Sequence, residues 1–209
     1  MSERFAQTTL ADFAAKLADK VPSPGGGAVA AVTLAHAAAL GAMVLRYTVG
    51  RPAFAAHEAA NAAALAELDA MRATALALAD RDAAAYARLA SLWKLPEGDP
   101  TRARDFAAAV QEAIDAPQAI VDLASRACTL LAELPPRTNA RLGSDLAIAA
   151  NLAALAADAA EWNVRVNLPS LADQAKAAAH GARTAAQVKA AREHAALRSE
   201  EHTSELQSR

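Results

Sequence analysis

Pro22-Ser23-Pro24-Gly25-Gly26-Gly27, followed directly by the apolar run Ala28-Val29-Ala30-Ala31-Val32-Thr33-Leu34, is the passage whose reading decides the fold. Three of the chain's eight glycines stand here, behind two prolines. Regular structure therefore stops and restarts at once as an alanine-rich helix. Glycine reaches backbone angles that other residues avoid and lets a ligand approach the main chain. The helix that follows offers unpaired N–H groups at its start. The triplet has neither the Gly-Lys-Ser/Thr ending of a phosphate loop nor the spacing of a dinucleotide fingerprint, so by itself it fits a tight turn as well as a ligand loop.

Outward from this loop the chain reads as helix almost everywhere. At 209 residues, 54% hydrophobic and only 4% aromatic, it has the size of one domain and the side chains of closely packed helices. Thr9-Leu10-Ala11-Asp12-Phe13 opens a short amphipathic helix ending near Asp19. A buried helix leaves the glycine loop and runs to about Val49, where Gly50-Arg51-Pro52 turns the chain. A very long helix is predicted from about Ala55 to Ser91, broken by Leu95-Pro96-Glu97-Gly98-Asp99-Pro100. Thr101 is expected to cap the next helix, and its interior Pro117 to kink or divide it. Leu134-Pro135-Pro136 ends that helix, Ser144 is expected to cap one from Asp145 to about Val166, and a last helix reaches roughly Leu197. The fold class is all-α: an antiparallel up-and-down bundle of five to six helices, one of them very long.

Residues 1–197 form the single domain. Residues 198–209, Arg-Ser-Glu-Glu-His-Thr-Ser-Glu-Leu-Gln-Ser-Arg, contain no alanine after a chain saturated with it. They read as a non-native polar tail, the translation of a sequencing-adapter read-through, and carry no site. The net charge of −2 offers no general positive field for nucleic acid. The single Cys128 excludes an intrachain disulfide or a cysteine-built zinc site and is expected in the core, as is His36. No basic, apolar and cleavable leader opens the chain, which points to the cytoplasm. The apolar stretch from Ala28 to Val44 is read as a central buried helix, not a membrane span.

An up-and-down course also sorts the polar residues. With the glycine loop at one end, the long helix returns Asp82 and Tyr86 to that end, and the fifth helix finishes there with Asn163 and Asn167. Asn139, Ser144 and Asp145 start the fifth helix at the opposite end. Asp145 and Asn163 are separated by 18 residues, about 27 Å of helix. Either a site spans two subunits or one cluster is structural. Each residue has an ordinary alternative: Asp82 a solvated charge, Tyr86 a core ring, Asp145 a first-turn acid favoured by the helix dipole, the two asparagines interhelical bonds.

Ser23-Pro24-Gly25-Gly26-Gly27-Ala28-Val29-Ala30-Ala31, Leu40-Gly41-Ala42-Met43, Gly143-Ser144-Asp145 and Asn163-Val164-Arg165-Val166-Asn167-Leu168 stand in an order that resembles the cyclodeaminase/cyclohydrolase family. The likeness covers most of residues 5 to about 175. It implies an enzyme acting on one-carbon adducts of tetrahydrofolate, without a tightly bound cofactor or a metal; the alanine-rich helices and the distant polar clusters, which suggest shared burial and a shared site, predict a homodimer. The implied reaction is hydrolysis of 5,10-methenyltetrahydrofolate to 10-formyltetrahydrofolate. The alternative is closure of formimino-tetrahydrofolate with loss of ammonia, and a further alternative is a non-catalytic helical oligomerisation module. Under this resemblance Asp145 and Asp82 are the candidates for proton transfer. Ser23, Pro24, Gly25, Gly26, Gly27, Tyr86, Asn139, Ser144, Asn163 and Asn167 are those for substrate binding, and Gly26→Val is expected to abolish folate binding more than it lowers stability, because a branched side chain blocks unusual backbone angles and close ligand approach.

Overall fold

The computed structural model describes the backbone of residues 4–207 and the side chains through residue 196. Among these residues the elements are six α-helices joined by short turns, with no strand: α1 Leu10–Ala18, α2 Gly26–Arg46, α3 Glu58–Trp93, α4 Pro100–Ala132, α5 Gly143–Asn167 and α6 Gln174–Gln207. The up-and-down order holds, and α3 is the very long helix. α6 passes Leu197, where the sequence reading stops it, and stays helical to Gln207; residues 208 and 209 lie outside the described residues.

Thr9 caps α1 by accepting a bond from the Asp12 N–H, which the Thr-x-x-Asp order provides. Two expected caps are displaced. Asp99, not Thr101, caps α4, its carboxylate accepting from the N–H groups of Thr101 and Arg102, because Pro100 takes the first helical position where no N–H is needed. α5 begins at Gly143 after Leu142, so Ser144 lies inside the first turn and is exposed.

α2 is the axis of the bundle. Ala28, Ala30, Ala31, Leu34, Ala37, Ala38, Ala42, Val44 and Leu45 are buried on several of its faces, and it packs on both α3 and α5. Such a helix is long and apolar enough to cross a membrane by composition, yet most of it lies inside the protein. Small side chains let the neighbouring helices come close. At Gly41 a methyl group would stand 2.6 Å from Leu131 Cδ2 and 3.1 Å from Leu68 Cδ1, so leucines of α4 and α3 occupy the space that a side chain would need. His36 points outward from α2 instead of into the core, its Nδ1 2.8 Å from the Val32 carbonyl oxygen. A smaller cluster, Leu89 and Leu92 of α3, Val110 and Ile114 of α4 and Val164 of α5, closes the end of the bundle near the glycine loop.

Pro117 does not divide α4, which is one helix from Pro100 to Ala132. Proline at 117 has no N–H for the carbonyl four residues earlier, that of Ala113. Asn167 supplies the missing donor: its Nδ2 lies 2.9 Å from the Ala113 oxygen and 2.9 Å from the Asn163 oxygen. A bond from the end of α5 thus mends the gap in α4 and fixes the two helices in register.

Asn167→Ala is therefore expected to lower stability by about 1–3 kcal/mol, the cost of a buried unpaired carbonyl. In a Pro117→Ala background, where the backbone N–H returns, the same substitution should cost clearly less. Denaturant titration of the four proteins measures this coupling. Equal costs in both backgrounds would show that the bond to Ala113 does not carry the effect.

Candidate active site

A cavity of about 360 Å³ opens where the glycine loop, α3, α4 and the end of α5 meet. Its lining contains Ser23, Gly25, Gly26, Gly27, Asp82, Tyr86, Asn163 and Asn167, joined by Pro22, Ala83, Trp93, Ala113 and Val166. The glycine loop, Asp82, Tyr86 and the two asparagines thus meet at one end of the bundle. Trp93 was not singled out, although Asp82, Tyr86 and Trp93 follow at helical intervals along one face of α3, a signal present in the sequence. Both rings are partly exposed and stand as aromatic walls.

The loop works by space, not by unusual angles. Gly25 is extended, with φ −133°, and precedes the first turn of α2; the one glycine with positive φ among the described residues is Gly50, at the far turn. A methyl group on Gly27 would overlap the Asp82 carboxylate, while one on Gly26 would make ordinary contact with Asn163 at 3.5 Å. Within the protein itself the steric conflict that requires glycine is therefore at Gly27, while Gly26 has room for a methyl group. Pro24 is buried and does not line the cavity.

Asp82 has no hydrogen bond or ion pair among the described residues. Burial pushes its carboxyl from 3.8 up to about 6, so near neutral pH it exchanges readily between its two protonation states. The start of α2 beside it favours the ionised form. Asn163 donates to the Ala159 carbonyl, and Asn167 spends both of its donors on Ala113 and Asn163. Neither Oδ1 has a partner among the described residues, so Asn167 offers the cavity an acceptor alone and Asn163 an acceptor and its second N–H.

The remaining candidates stand elsewhere in the chain. Asn139 accepts from the Arg141 N–H and lines a separate hollow with Tyr47, Arg51 and Phe54. Ser144 and Asp145 occupy the first turn of α5, at that same opposite end. Cys128 is buried with its thiol pushed up to about 12, a core residue as expected. The cavity has no Lys or Arg in its lining.

The arrangement can hold a flat polar heterocycle between aromatic walls, offer it acceptors and backbone N–H groups, and move a proton through one half-buried carboxylate.

Residues 9–186 match the family model described as formiminotransferase-cyclodeaminase. The mouse formimidoyltransferase-cyclodeaminase is 32% identical over 170 residues, which cover 79% of this chain but 31% of that protein. The chain thus spans about a third of the length of such relatives. The methenyltetrahydrofolate cyclohydrolase of Methylorubrum extorquens is 30% identical over 171 residues, covering 80% of this chain and 82% of that one. The crystal structure of formiminotetrahydrofolate cyclodeaminase from Thermotoga maritima superposes with a TM-score of 0.82 at 24% identity, over 92% of this chain and 96% of the other, a likeness of fold. With the glycine loop, Asp82 and the asparagines gathered at one cavity, and the family match running from α1 into α6, the chain belongs to the formiminotransferase-cyclodeaminase family.

Proposed function

We propose that this protein hydrolyses 5,10-methenyltetrahydrofolate to 10-formyltetrahydrofolate in the cytosol, as a homodimer, and binds neither nucleic acid nor membrane. The observation that carries the reading is the unpaired, half-buried Asp82 at the start of α2, in a cavity that two aromatic rings and two amide acceptors shape for a pterin.

The methenyl carbon lies between N5 and N10 in a cationic amidinium. An ionised Asp82 stabilises that cation and takes a proton as water adds to the carbon. The tetrahedral adduct then breaks its bond to N5. The electron pair of that bond goes to N5, the protonated Asp82 returns its proton there, and the remaining hydroxyl proton leaves to solvent as the formyl C=O forms on N10. One water is consumed and one proton released. The chain's part is to orient the bridge against Asp82 and to supply acceptors, Asn163 Oδ1 and Asn167 Oδ1, for the pterin's N–H edge.

A specific feature also favours the cyclodeaminase direction. With its carboxyl raised to about 6, part of Asp82 stays protonated near neutrality and can give a proton to departing ammonia. Incubation with methenyl- and formimino-tetrahydrofolate separately, following loss or gain of the methenyl chromophore, distinguishes the two. Activity with neither would remove both.

Asp82→Asn is expected to reduce turnover about 10²-fold or more with little change in substrate binding. The wild-type rate of hydrolysis should fall on the acid side of about pH 6, a limb absent from the residual activity of the variant. The same substitution should change stability with the opposite sign. Because the folded carboxyl is raised, folding favours its protonated form, and a penalty develops as pH rises from 3.8 through about 6. Above pH 6 Asp82→Asn should be more stable than wild type by roughly 2 kcal/mol, and near pH 3.5 no more stable. Parallel melts at the two pH values check it.

Gly27→Ala should fold, since the end of a flexible side chain can move aside, yet lose most of its turnover because Asp82 is displaced. Gly26→Ala should keep near-normal turnover. Steady-state kinetics on the pair decides whether the requirement for glycine lies at residue 27.

A further inference from the structure

α1 is a helix without a seat of its own. None of its residues is buried, and its apolar face is largely open: Leu10, Leu17 and, just past the helix, Val21 are 73, 39 and 40% exposed. The segment is held mainly at its start. The Phe5 N–H donates to Asp80 Oδ1 of α3 at 2.8 Å, and the Phe5 and Phe13 rings meet edge to face with centroids 5.5 Å apart. Between this segment and α3 lies a hollow of about 260 Å³, walled by Phe5, Lys16 and Asp80 and floored by Ala83, Ala84 and Ala87.

The hollow adjoins the candidate active site. Ser23 and Ala83 belong to the linings of both. At about 100° per residue, Asp82, Tyr86 and Trp93 occupy one face of α3, Asp80, Ala84 and Ala87 the next, and Ala83 the edge between them. An arc of roughly 10 Å around the helix leads from Asp82 to the alanine floor, and the small side chains along it leave the way open.

We propose that this hollow is the subsite for the aminobenzoyl-glutamate half of the substrate, with Lys16 of α1 holding the glutamate α-carboxylate. The inference deepens the folate reading and rests on it. A cavity of about 360 Å³ takes the pterin and its one-carbon bridge, and the aryl half, attached at N10, has to continue beyond it. The way past Ser23 and Ala83 is where the two linings join. Across both linings Lys16 is the one cation, and the cavity beside Asp82 has none.

The residue types fit that half of the molecule group by group. The Phe5 ring and the alanine floor take the two faces of the aryl ring. Asp80, whose Oδ1 already accepts from Phe5, has a second oxygen for the amide N–H that links the aryl carbonyl to glutamate. Lys16 donates to the α-carboxylate. One acid and one base leave the hollow without net charge, which suits a neutral amide followed by a single carboxylate and disfavours a phosphate. The γ-carboxylate stays in water, on the side where Ala84 and Ala87 are exposed. A ligand here fills the space beneath a helix that buries nothing, and so gives α1 its packing partner.

The test compares 5,10-methenyltetrahydrofolate with the corresponding pteroyl amide, which lacks the glutamate, on the full chain. Lys16→Ala should raise KM for the folate about tenfold more than for the amide, with kcat little changed, and Lys16→Arg should restore most of that difference. Equal effects on the two substrates, or none, overturn the role of Lys16. Ala84→Leu, a change at an exposed alanine, should raise KM for both substrates about tenfold by filling the aryl seat; an unchanged KM overturns the hollow as that seat. Calorimetry with 4-aminobenzoyl-glutamate alone needs no turnover. Wild type should bind it in the millimolar range and Lys16→Ala clearly more weakly; no binding, or equal binding, overturns the subsite. If wild type binds this fragment through Lys16 but turns over neither methenyl- nor formimino-tetrahydrofolate, the subsite stands and the proposed reaction falls. If methenyltetrahydrofolate is hydrolysed and the Lys16 and Ala84 variants match wild type, the reaction stands and the subsite falls.

Discussion

Close approach to α2 is the constraint on which this structure depends. A helix whose buried residues are mostly alanine and glycine has little side-chain volume to fill the gap to its neighbours, so the neighbours fill it themselves. Leu68 and Leu131 reach the Gly41 backbone from α3 and α4, and one end of α2 is approached in the same way by a charged group, the Asp82 carboxylate over Gly27. The packing rule that builds the core also places the proton-transfer candidate. A larger side chain at either glycine would push away the residue that defines its surroundings.

The cavity wall has a second support in the pairing of Pro117 with Asn167. A proline in mid-helix leaves a carbonyl without its donor, and a buried carbonyl must find one. Asn167 answers from another helix, and in doing so spends both N–H groups and presents only its oxygen to the cavity. A backbone defect in α4 thereby dictates the hydrogen-bonding character of a residue on α5. The asparagine is structural and faces the site at once, so the two roles weighed for it in the sequence are not alternatives.

Asp82 shows the usual tension between stability and use. A carboxylate in a half-buried position without a donor or a cation is unfavourable when ionised, and evolution keeps such groups mainly where chemistry needs them. Here burial raises the carboxyl to about 6, near the pH at which one group can both take and return a proton. The aromatic walls and loop N–H groups need no such compromise. They form from residues that the helix ends and the long face of α3 already bring together.

Much of this was legible in the chain. Alanine saturation, the proline and glycine breaks and the 3.6-residue pattern determine an all-helical bundle, because helix boundaries are local matters of backbone freedom and missing N–H groups. The up-and-down order then brings the glycine loop, Asp82, Tyr86, Asn163 and Asn167 to one end, since antiparallel helices of known length return to known places. Tertiary structure decided what depends on distances between distant segments. It chose Gly27 over Gly26, because the steric conflict is with a carboxylate on another helix. It left Pro24 beneath the loop, turned His36 outward, and kept α4 whole, because a donor on α5 lies within reach of Ala113. It also moved the caps to Asp99 and Leu142, where the chain enters each helix at an angle that local propensity does not encode. Residue types and helical periods carry the first kind of information; the second exists only once separate helices have closed on one another.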